Sequence, residues 1–394
     1  MKDILKRELG LWKLRPVYVL APLGAMLFCS LFFLTFFGKG AVQELPIAVV
    51  DNDNSSLTRN FIRQLDATEL GKVIRYDDYS LAREAMQTGK VTAICVLPEN
   101  MYSDVLAGRK PTASFYLNTM YYVGGMMSYK NILTMFNLSV GAVQRETMRA
   151  MGMAEDAIMA KIQPIVIDVH QIGNPTTDYN AYLSNILLPG LLELLTIIIV
   201  AYSLGTEIKY GTSEKLLEMS SGSIVKALTI KLIPYSIMFS VLGCTLVLVL
   251  YGPMGFPLDG SIWAMILNIV LMVLASEAFA VCIVALLPVC RLAVCISAFL
   301  GILAFSLSGF TVPLEQMPEF FRGMANMFPL RPYYNFYVQE TIFASGFAGW
   351  WKEVLHYLVF FLAPLPLLPR LKNAFLYHNY RRDQYYGIFQ NILE

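Results

Sequence analysis

Two carboxylates stand two positions apart at the end of an apolar run, in the segment "IAVVDNDNSS" at residues 47–56. Asp51 and Asp53 in this spacing could begin a calcium loop. They could also carry the nucleophile of a phosphatase-like enzyme, in which an apolar strand leads into D-x-D-x-[ST]. A calcium loop of the EF-hand type counted from Asp51 needs glycine at its sixth position and glutamate at its twelfth. Ser56 and Ile62 occupy those positions, which argues against calcium.

A phosphatase-like site and a purely structural role remain as alternatives for this stretch. In the structural alternative the strand ends at Asp51, and Asn54 or Ser55 accepts hydrogen bonds from the free N–H groups of the next helix. Asp53 would then favour the positive start of that helix. Phosphatase chemistry needs a metal and a phosphorylated cytosolic substrate, so the side of the membrane on which the segment lies bears on the choice.

Two further carboxylates, Glu193 and Glu277, lie inside long apolar runs. A charge within a bilayer is costly, so such residues usually face the interior of a helix bundle or water. Both are therefore candidates for a translocation path, where they would contact substrate, a cation or a proton. The alternative is that each carboxylate bonds a neighbouring helix.

The composition indicates a membrane protein without a visible metal site. Of 394 residues, 56% are hydrophobic and 15% charged, against about 25% charged in soluble domains. The net charge of +1 gives no basic field for nucleic acid. Six cysteines without a C-x-x-C pair and three scattered histidines predict no metal cluster.

Six apolar runs are long enough to cross about 30 Å of hydrocarbon as helices. The first is longer than the core of a signal peptide and lacks a convincing cleavage site, so we predict a retained anchor. The expected spans are about 17–37, 183–204, 231–251, 262–287, 292–310 and 351–369. The fold class is therefore an α-helical integral membrane protein with six transmembrane helices.

Basic residues set the predicted orientation, because Lys and Arg concentrate on the cytoplasmic side. They flank the spans in four segments that fall on one side: an amphipathic N-terminal helix at 1–16, a loop at 205–230, the turn at Arg291, and the tail at 371–394. Both termini are accordingly predicted to be cytoplasmic. The segment 311–350 is predicted to lie on the opposite side.

The long segment 38–182 is then extracytoplasmic. Its sequence alternates short β-type runs with helical patterns, for example "IAVV" followed by "SSLTRNFIRQL". Such alternation predicts a small inserted α/β domain. Because Asp51 and Asp53 fall in this outside domain, the capped helix is favoured over a phosphatase.

The cytoplasmic loop predicts a short amphipathic helix that could dock a partner. Glu207 stands at the membrane edge, Gly211 interrupts the preceding helix, and Thr212 or Ser213 can cap the new one. Glu214 lies in the first turn of that helix. Leu216, Leu217 and Met219 form its apolar face.

These features resemble the permeases of ABC-2 type transporters, in the subgroup with a large extracytoplasmic domain between the first two helices. The family joins its second and third helices by E-x-x-x-G-T-x-E-x-L-L, and its fifth helix is followed by S-G-F-x-x-P-x-x-x-M-P. The N-terminal stretch, with Leu5, Leu9 and Trp12 on one face, fits as well. The motif residues present here are Glu207, Gly211, Thr212, Glu214, Leu216 and Leu217, then Ser308, Gly309, Phe310, Pro313, Met317 and Pro318.

The resemblance implies a permease subunit of an ABC exporter in a bacterial inner membrane, moving an amphipathic or lipid-like substrate outward. The chain has no G-x-x-x-x-G-K-[ST] motif, so ATP and magnesium are expected on a separate ATPase and not on this chain. The first motif would couple to that ATPase. A homodimer or a heterodimer with a related permease is implied, as are lipid contacts and a periplasmic adaptor. The alternative is a membrane-anchored receptor or docking protein that acts through its outside domain without transport.

Overall fold

The computed structural model describes residues 2–38, 44–68, 71–120, 122–163, 170, 172–175 and 178–377. The chain divides into two compact units. We call Met1–Gly38 with Gln171–Glu394 the helical unit, and Lys39–His170 the inserted unit. The sequence predicted an inserted domain over 38–182, so the compact part ends before that boundary.

The helical unit begins with α1 (Lys2–Leu14) and α2 (Val17–Phe36). The packed face of α1 carries Ile4 and Glu8, which are buried, and Trp12, which is half-buried. The sequence predicted a face of Leu5, Leu9 and Trp12, but Leu9 is 44% exposed. α1 packs with a different face from the predicted one because Glu8 has buried ionic partners, which are described with the candidate site.

The inserted unit is a four-stranded sheet with helices on both faces. Its sheet order is β2-β1-β3-β4; the first three strands are parallel and β4 runs antiparallel to β3. Alternate residues of the central strand β1 enter two apolar clusters, Ile47 and Val49 on one face, Ala48 and Val50 on the other. The elements are β1 (Leu45–Asp51), α3 (Ser56–Asp66), β2 (Gly71–Arg75), α4 (Tyr79–Gln87), β3 (Ala93–Leu97), α5 (Met101–Leu106), β4 (Ser114–Leu117), α6 (Tyr122–Ala150) and α7 (Glu155–Ile162). The α/β class predicted for this insert is confirmed.

The chain then returns to the helical unit. Its remaining elements are α8 (Tyr179–Tyr210), α9 (Ser213–Met219), α10 (Ile224–Tyr251), α11 (Ile262–Leu286), α12 (Cys290–Leu307), α13 (Glu319–Ala325), α14 (Leu330–Thr341), α15 (Phe347–Leu362) and α16 (Leu368–Tyr377), with 3-10 turns at Leu314–Gln316 and Leu365–Leu367. Within the described residues, α2, α8, α10, α11, α12 and the segment Phe347–Tyr377 are long and apolar enough to cross a membrane. The six predicted spans are confirmed. α10 begins earlier than the predicted 231, which places Lys231 inside the helix.

α8 lies at the centre of the helical unit and packs against α2, α10, α11 and α12. Glycines allow it to approach α12 closely. A Cβ at Gly205 would lie 2.9 Å from the Cα of Cys290, and one at Gly190 would overlap the ring of Phe305. Small residues at such crossings let helix backbones come together where no water drives association.

α13 and α14 lie between α12 and α15 in the chain; α13 packs against α12, and α14 packs against α11 and α15. Leu330, Tyr333 and Phe336 of α14 are buried, and the backbone N–H of Leu330 donates to Glu193 near the middle of α8 (3.2 Å). That the segment 311–350 is extracytoplasmic stays a prediction; within it, α14 packs into the bundle. Non-helical backbone at this depth is tolerated because protein surrounds it.

Candidate functional site

The predicted coupling loop lies at one end of the helical unit, which we call the loop end: residues 205–230 together with α1. α8 ends there at Gly211, whose φ of +67° is left-handed and suits glycine because it has no Cβ. The backbone N–H of Thr212 donates to the carbonyl of Glu207 (3.0 Å). The chain therefore turns sharply from α8 into α9.

Four charged side chains meet in the interior of the loop end, and we call them the ion cluster: Arg7, Glu8, Glu207 and Lys231. The side chains of Glu8, Glu207 and Lys231 are 0%, 3% and 1% exposed. Lys231 Nζ lies 2.8 Å from Glu8 Oε2 and 3.0 Å from Glu207 Oε1. Arg7 Nη2 lies 2.6 Å from Glu207 Oε2, and Arg7 Nη1 lies 3.3 Å from Glu8 Oε1. Two acids and two bases thus balance within one closed ring of contacts.

The ion cluster joins three helices that are far apart in sequence. Arg7 and Glu8 belong to α1, Glu207 to α8 and Lys231 to α10. The hydroxyl of Thr212, at the start of α9, also donates to Glu207 Oε2. Because removing one partner of a buried pair leaves an uncompensated charge, each of these side chains holds the others in place.

Aromatic and hydroxyl side chains enclose the ion cluster on the side of the helical core. Tyr18 Oη and Thr206 Oγ1 lie 3.0 Å apart, and the hydroxyl of Ser203 donates to Tyr235 Oη (3.0 Å). The ring of Trp12 packs edge-on against that of Tyr235 at 5.2 Å. These contacts leave the cluster little access to water, and low dielectric strengthens its internal attractions.

The predicted apolar face of α9 packs inward. Leu216 and Leu217 are 0% and 3% exposed and belong to the core of the helical unit. The outward face carries Glu214, Lys215 and Glu218, all exposed. The amphipathic helix was predicted correctly, but its leucines pack against this chain, so any partner would meet a charged surface.

α16 also packs against α9. The hydroxyl of Ser213 donates to the carbonyl of Phe375 (2.7 Å), and Leu371, Ala374 and Phe375 are buried. The sequence predicted a cytoplasmic tail over 371–394; its first part, to Tyr377, belongs to α16, and 378–394 lie outside the described residues.

The second motif builds the bend between α12 and α13. Arg331 Nη1 donates to the carbonyl of Ser308 at 2.7 Å. Gly309 has φ of +95°, and a Cβ there would overlap Arg331, so both its conformation and its space require glycine. The ring of Phe310 lies 4.4 Å from that of Tyr182.

The remaining motif residues lie around the 3-10 turn and at the start of α13. Pro313 precedes the 3-10 turn at Leu314–Gln316 and Pro318 precedes α13, positions where the fixed φ of proline suits a helix start. Met317 is buried between them. In this structure the motif shapes the chain and brings no reactive groups together.

The two intramembrane acids lie in different surroundings. Glu193 Oε1 accepts from the backbone of Leu330, so its carboxylate stabilises the positive start of α14. Glu277 Oε2 accepts from the hydroxyl of Ser236 at 2.5 Å. The second oxygen of each carboxylate is buried and has no hydrogen-bond partner among the described residues. The structure does not bring the two acids together, and whether either lines a translocation path stays a prediction.

The stretch containing Asp51 and Asp53 forms turns and helix caps. Ser55 caps α3 by accepting from the N–H of Thr58, as predicted for Asn54 or Ser55. Asp51 Oδ1 accepts from the N–H groups of Asp53 (3.2 Å) and Asn54 (3.0 Å). Asp53 Oδ2 accepts from the N–H of Tyr102 at the start of α5 (3.2 Å). The capped-helix interpretation is confirmed, although Asp53 serves a different helix from the one expected.

Cys95 lies in β3, next to the strand that ends at Asp51. Burial, with a smaller contribution from the Asp51 carboxylate, raises the pKa of its thiol to about 12. The thiol therefore stays protonated at neutral pH and fills space in the sheet.

Sequence reasoning singled out Glu207 but missed Arg7, Glu8 and Lys231. A signal existed for two of them. Glu8 lies one helical turn from Ile4 and one from Trp12, in the middle of the face that packs. Lys231 is a lone cation between Ile230 and Leu232 in an apolar run. A buried acid and a buried base of this kind are expected to pair, but their sequence separation gave no reason to join them.

Comparison with known proteins supplies the family context. A family profile described as "ABC-2 family transporter protein" matches residues 13–365. The inner membrane transport permease YhhJ of Escherichia coli (strain K12) is 23% identical over 333 residues, which cover 80% of this chain and 82% of that protein. A protein of the same name from Shigella flexneri matches with the same values. The profile match runs from α1 to the 3-10 turn after α15 and so includes both units.

Proposed function

We propose, from the premise that this chain belongs to the ABC-2 family of transporter proteins, that its loop end docks a cytoplasmic ABC ATPase and passes that enzyme's movement into the membrane helices. The family makes the chain a membrane permease subunit of an ABC transporter. The observation that carries the proposal is the ion cluster, which ties α1, α8 and α10 together directly beside α9.

The docking surface in this proposal is the outward face of α9, with Glu214, Lys215 and Glu218. These side chains are exposed, while Leu216 and Leu217 on the opposite face pack into the core of the helical unit and anchor the helix there. A short helix whose apolar face packs on the bundle and whose charged face is exposed can bind a partner without unfolding. Charged rims of this kind set the orientation and rate of association.

Transmission follows from how α9 is attached. A displacement of α9 by the ATPase is transmitted to Glu207 through the turn at Gly211 and through the Thr212 hydroxyl. From Glu207 it reaches α1 through Arg7 and α10 through Lys231. Because Glu8, Glu207 and Lys231 are buried and every member is paired, the three helices must move as one body or break charge pairs.

The remaining parts of the proposal come from sequence and family. The basic flanks of the spans support cytoplasmic termini and an inner-membrane location, which agrees with the name of the relative from Escherichia coli. ATP and magnesium would bind the partner ATPase. We propose outward movement of an amphipathic or lipid-like substrate by a dimer of this chain or of this chain and a related permease, with a periplasmic adaptor as a further partner.

The docking proposal is tested by reversing charge on the outward face of α9. We expect Glu214→Lys with Glu218→Lys to lower the amount of P-loop ATPase that co-purifies with the chain by about tenfold or more. The reason is that basic groups of the ATPase, which in this proposal pair with the two acids, would then face lysines of like charge. The matched control is Glu315→Lys with Glu319→Lys, two exposed acids in the 3-10 turn after α12 and in α13. Equal recovery of the ATPase from both double variants would refute docking at α9.

One observation favours a second function, that of a receptor or docking protein. The inserted unit contains an apolar cavity of about 450 Å³, lined among others by Phe61, Met101, Phe136 and Met148, a size typical of small-molecule sites. This cavity supports a receptor or docking protein that acts through the inserted unit without transport. Such a protein would need no ATPase, so purification of the wild-type chain with no P-loop ATPase bound would favour it.

A further inference from the structure

A second cavity lies in the helical unit, between α10, α11 and the end of α15. It has a volume of about 650 Å³ and we call it the lateral groove. Apolar side chains form most of its walls, and among the described residues that line it Glu277 is the only charged one. Val225, Ile233 and Leu365 line it and are exposed, so the groove opens on the outer surface of the helical unit, where lipid chains would lie.

Glu277 is fixed by one oxygen and unsatisfied at the other. Ser236 holds Oε2 at 2.5 Å, and the residue is 4% exposed. Oε1 has no hydrogen-bond partner among the described residues. A buried acceptor without a donor is costly, and an ionised carboxylate within hydrocarbon needs a cation or a proton. Glu277 therefore lacks either a proton or a cationic donor, and an ammonium group that enters the groove would supply the latter.

From this geometry we propose that the lateral groove binds a cationic amphiphile. The alkyl part lies along the apolar walls and an ammonium group donates to Glu277 Oε1. An anionic head would be repelled by the carboxylate, and a neutral hydroxyl could donate a hydrogen bond but could not balance the charge. The inference rests on the proposed transport function and narrows its substrate to amphipathic amines.

The test measures binding to the purified chain in lipid nanodiscs without any ATPase. A long-chain alkylamine with a fluorophore at the far end of its tail is the probe, and dodecylamine, dodecanol and dodecanoate compete for it, each corrected for its uptake by empty nanodiscs. We expect dodecylamine to compete at least about tenfold better than dodecanol, and dodecanoate to compete worst. Glu277→Gln should remove the preference for the amine over the alcohol.

Two further variants keep the test decisive. Glu193→Gln neutralises an equally buried acid that does not line the groove, and it should keep the preference for the amine. Ala278→Phe fills the groove without changing charge, and it should abolish saturable binding of the probe.

An amine preference that survives in Glu277→Gln would overturn the proposal, as would equal competition by amine and alcohol in the wild type. Absence of saturable binding to the wild type, as expected if a second copy of the chain fills the groove, would overturn it too. Since no ATPase is present, these outcomes leave the docking proposal untouched. Loss of the ATPase from the α9 variants would likewise leave amine binding unchanged.

Discussion

Lys231→Met is expected to destabilise the helical unit severely and to prevent recovery of most of the folded protein. Lys231 contacts both Glu8 and Glu207 within 3.0 Å, and both carboxylates are buried. Without the ammonium, two buried acids share the single guanidinium of Arg7. Breaking a buried charge pair by removing one partner costs about 3–5 kcal/mol, a large share of the stability of a typical domain. The measurement is the monodisperse fraction and the apparent melting temperature in detergent.

A control and a rescue make this prediction specific. Lys226→Met changes an exposed lysine on the same helix and should leave the melting temperature within about 1–2 °C, because surface substitutions seldom exceed about 0.5 kcal/mol. Adding Glu8→Gln to Lys231→Met removes the surplus acid and leaves the 2.6 Å pair of Arg7 and Glu207. The double variant should therefore be more stable than Lys231→Met alone. Equal stability of the two single lysine variants would show that the ion cluster contributes little.

Leu216→Ser with Leu217→Ser is expected to unfold the loop end. Both leucines lie in the core of the helical unit, where truncating a buried leucine costs about 2–5 kcal/mol. Each serine would also place a hydroxyl where it needs a new hydrogen bond. We expect a strong loss of folded protein, measured by size-exclusion profile and melting temperature.

The control for this variant lies on the opposite face of α9. Lys215→Ser with Glu218→Ser changes two exposed positions of the same short helix and should keep the helical unit folded. A well-folded leucine variant that only loses its ATPase would contradict the inward packing. It would mean that the leucines turn outward to meet the ATPase in the complex.

The membrane spans and the α/β insert were predictable because their signals are local. A bilayer of fixed thickness demands long apolar helices, and the alternation of β-type and helical runs between Leu45 and Leu117 marks the insert. Helix caps were equally local, so Ser55 could be identified from neighbouring residues alone.

Features that depend on distant contacts were not predictable. The apolar stripe on α9 indicates that Leu216 and Leu217 are buried, but it does not indicate whether a partner or this chain buries them. Glu8 and Lys231 look unfavourable in their own helices and become favourable only when α1 meets α10. α14 packs inward, with its first backbone N–H bonded to Glu193 of the distant helix α8, and no nearby sequence indicates that.

The central claim is that the ion cluster passes ATPase movement into the membrane helices, and Glu207→Gln tests it most directly. The variant keeps the shape of the side chain and leaves the outward face of α9 unchanged. The measurement is the amount of co-purified ATPase together with permease-stimulated ATP turnover per assembled complex in lipid vesicles. Because the variant also removes one acid from the buried ion cluster, we expect a lower yield of folded protein. In the complexes that assemble we predict a wild-type ratio of ATPase to permease and turnover lowered by about tenfold, equivalent to about 1.4 kcal/mol of lost coupling. Bound ATPase with wild-type turnover would contradict the account.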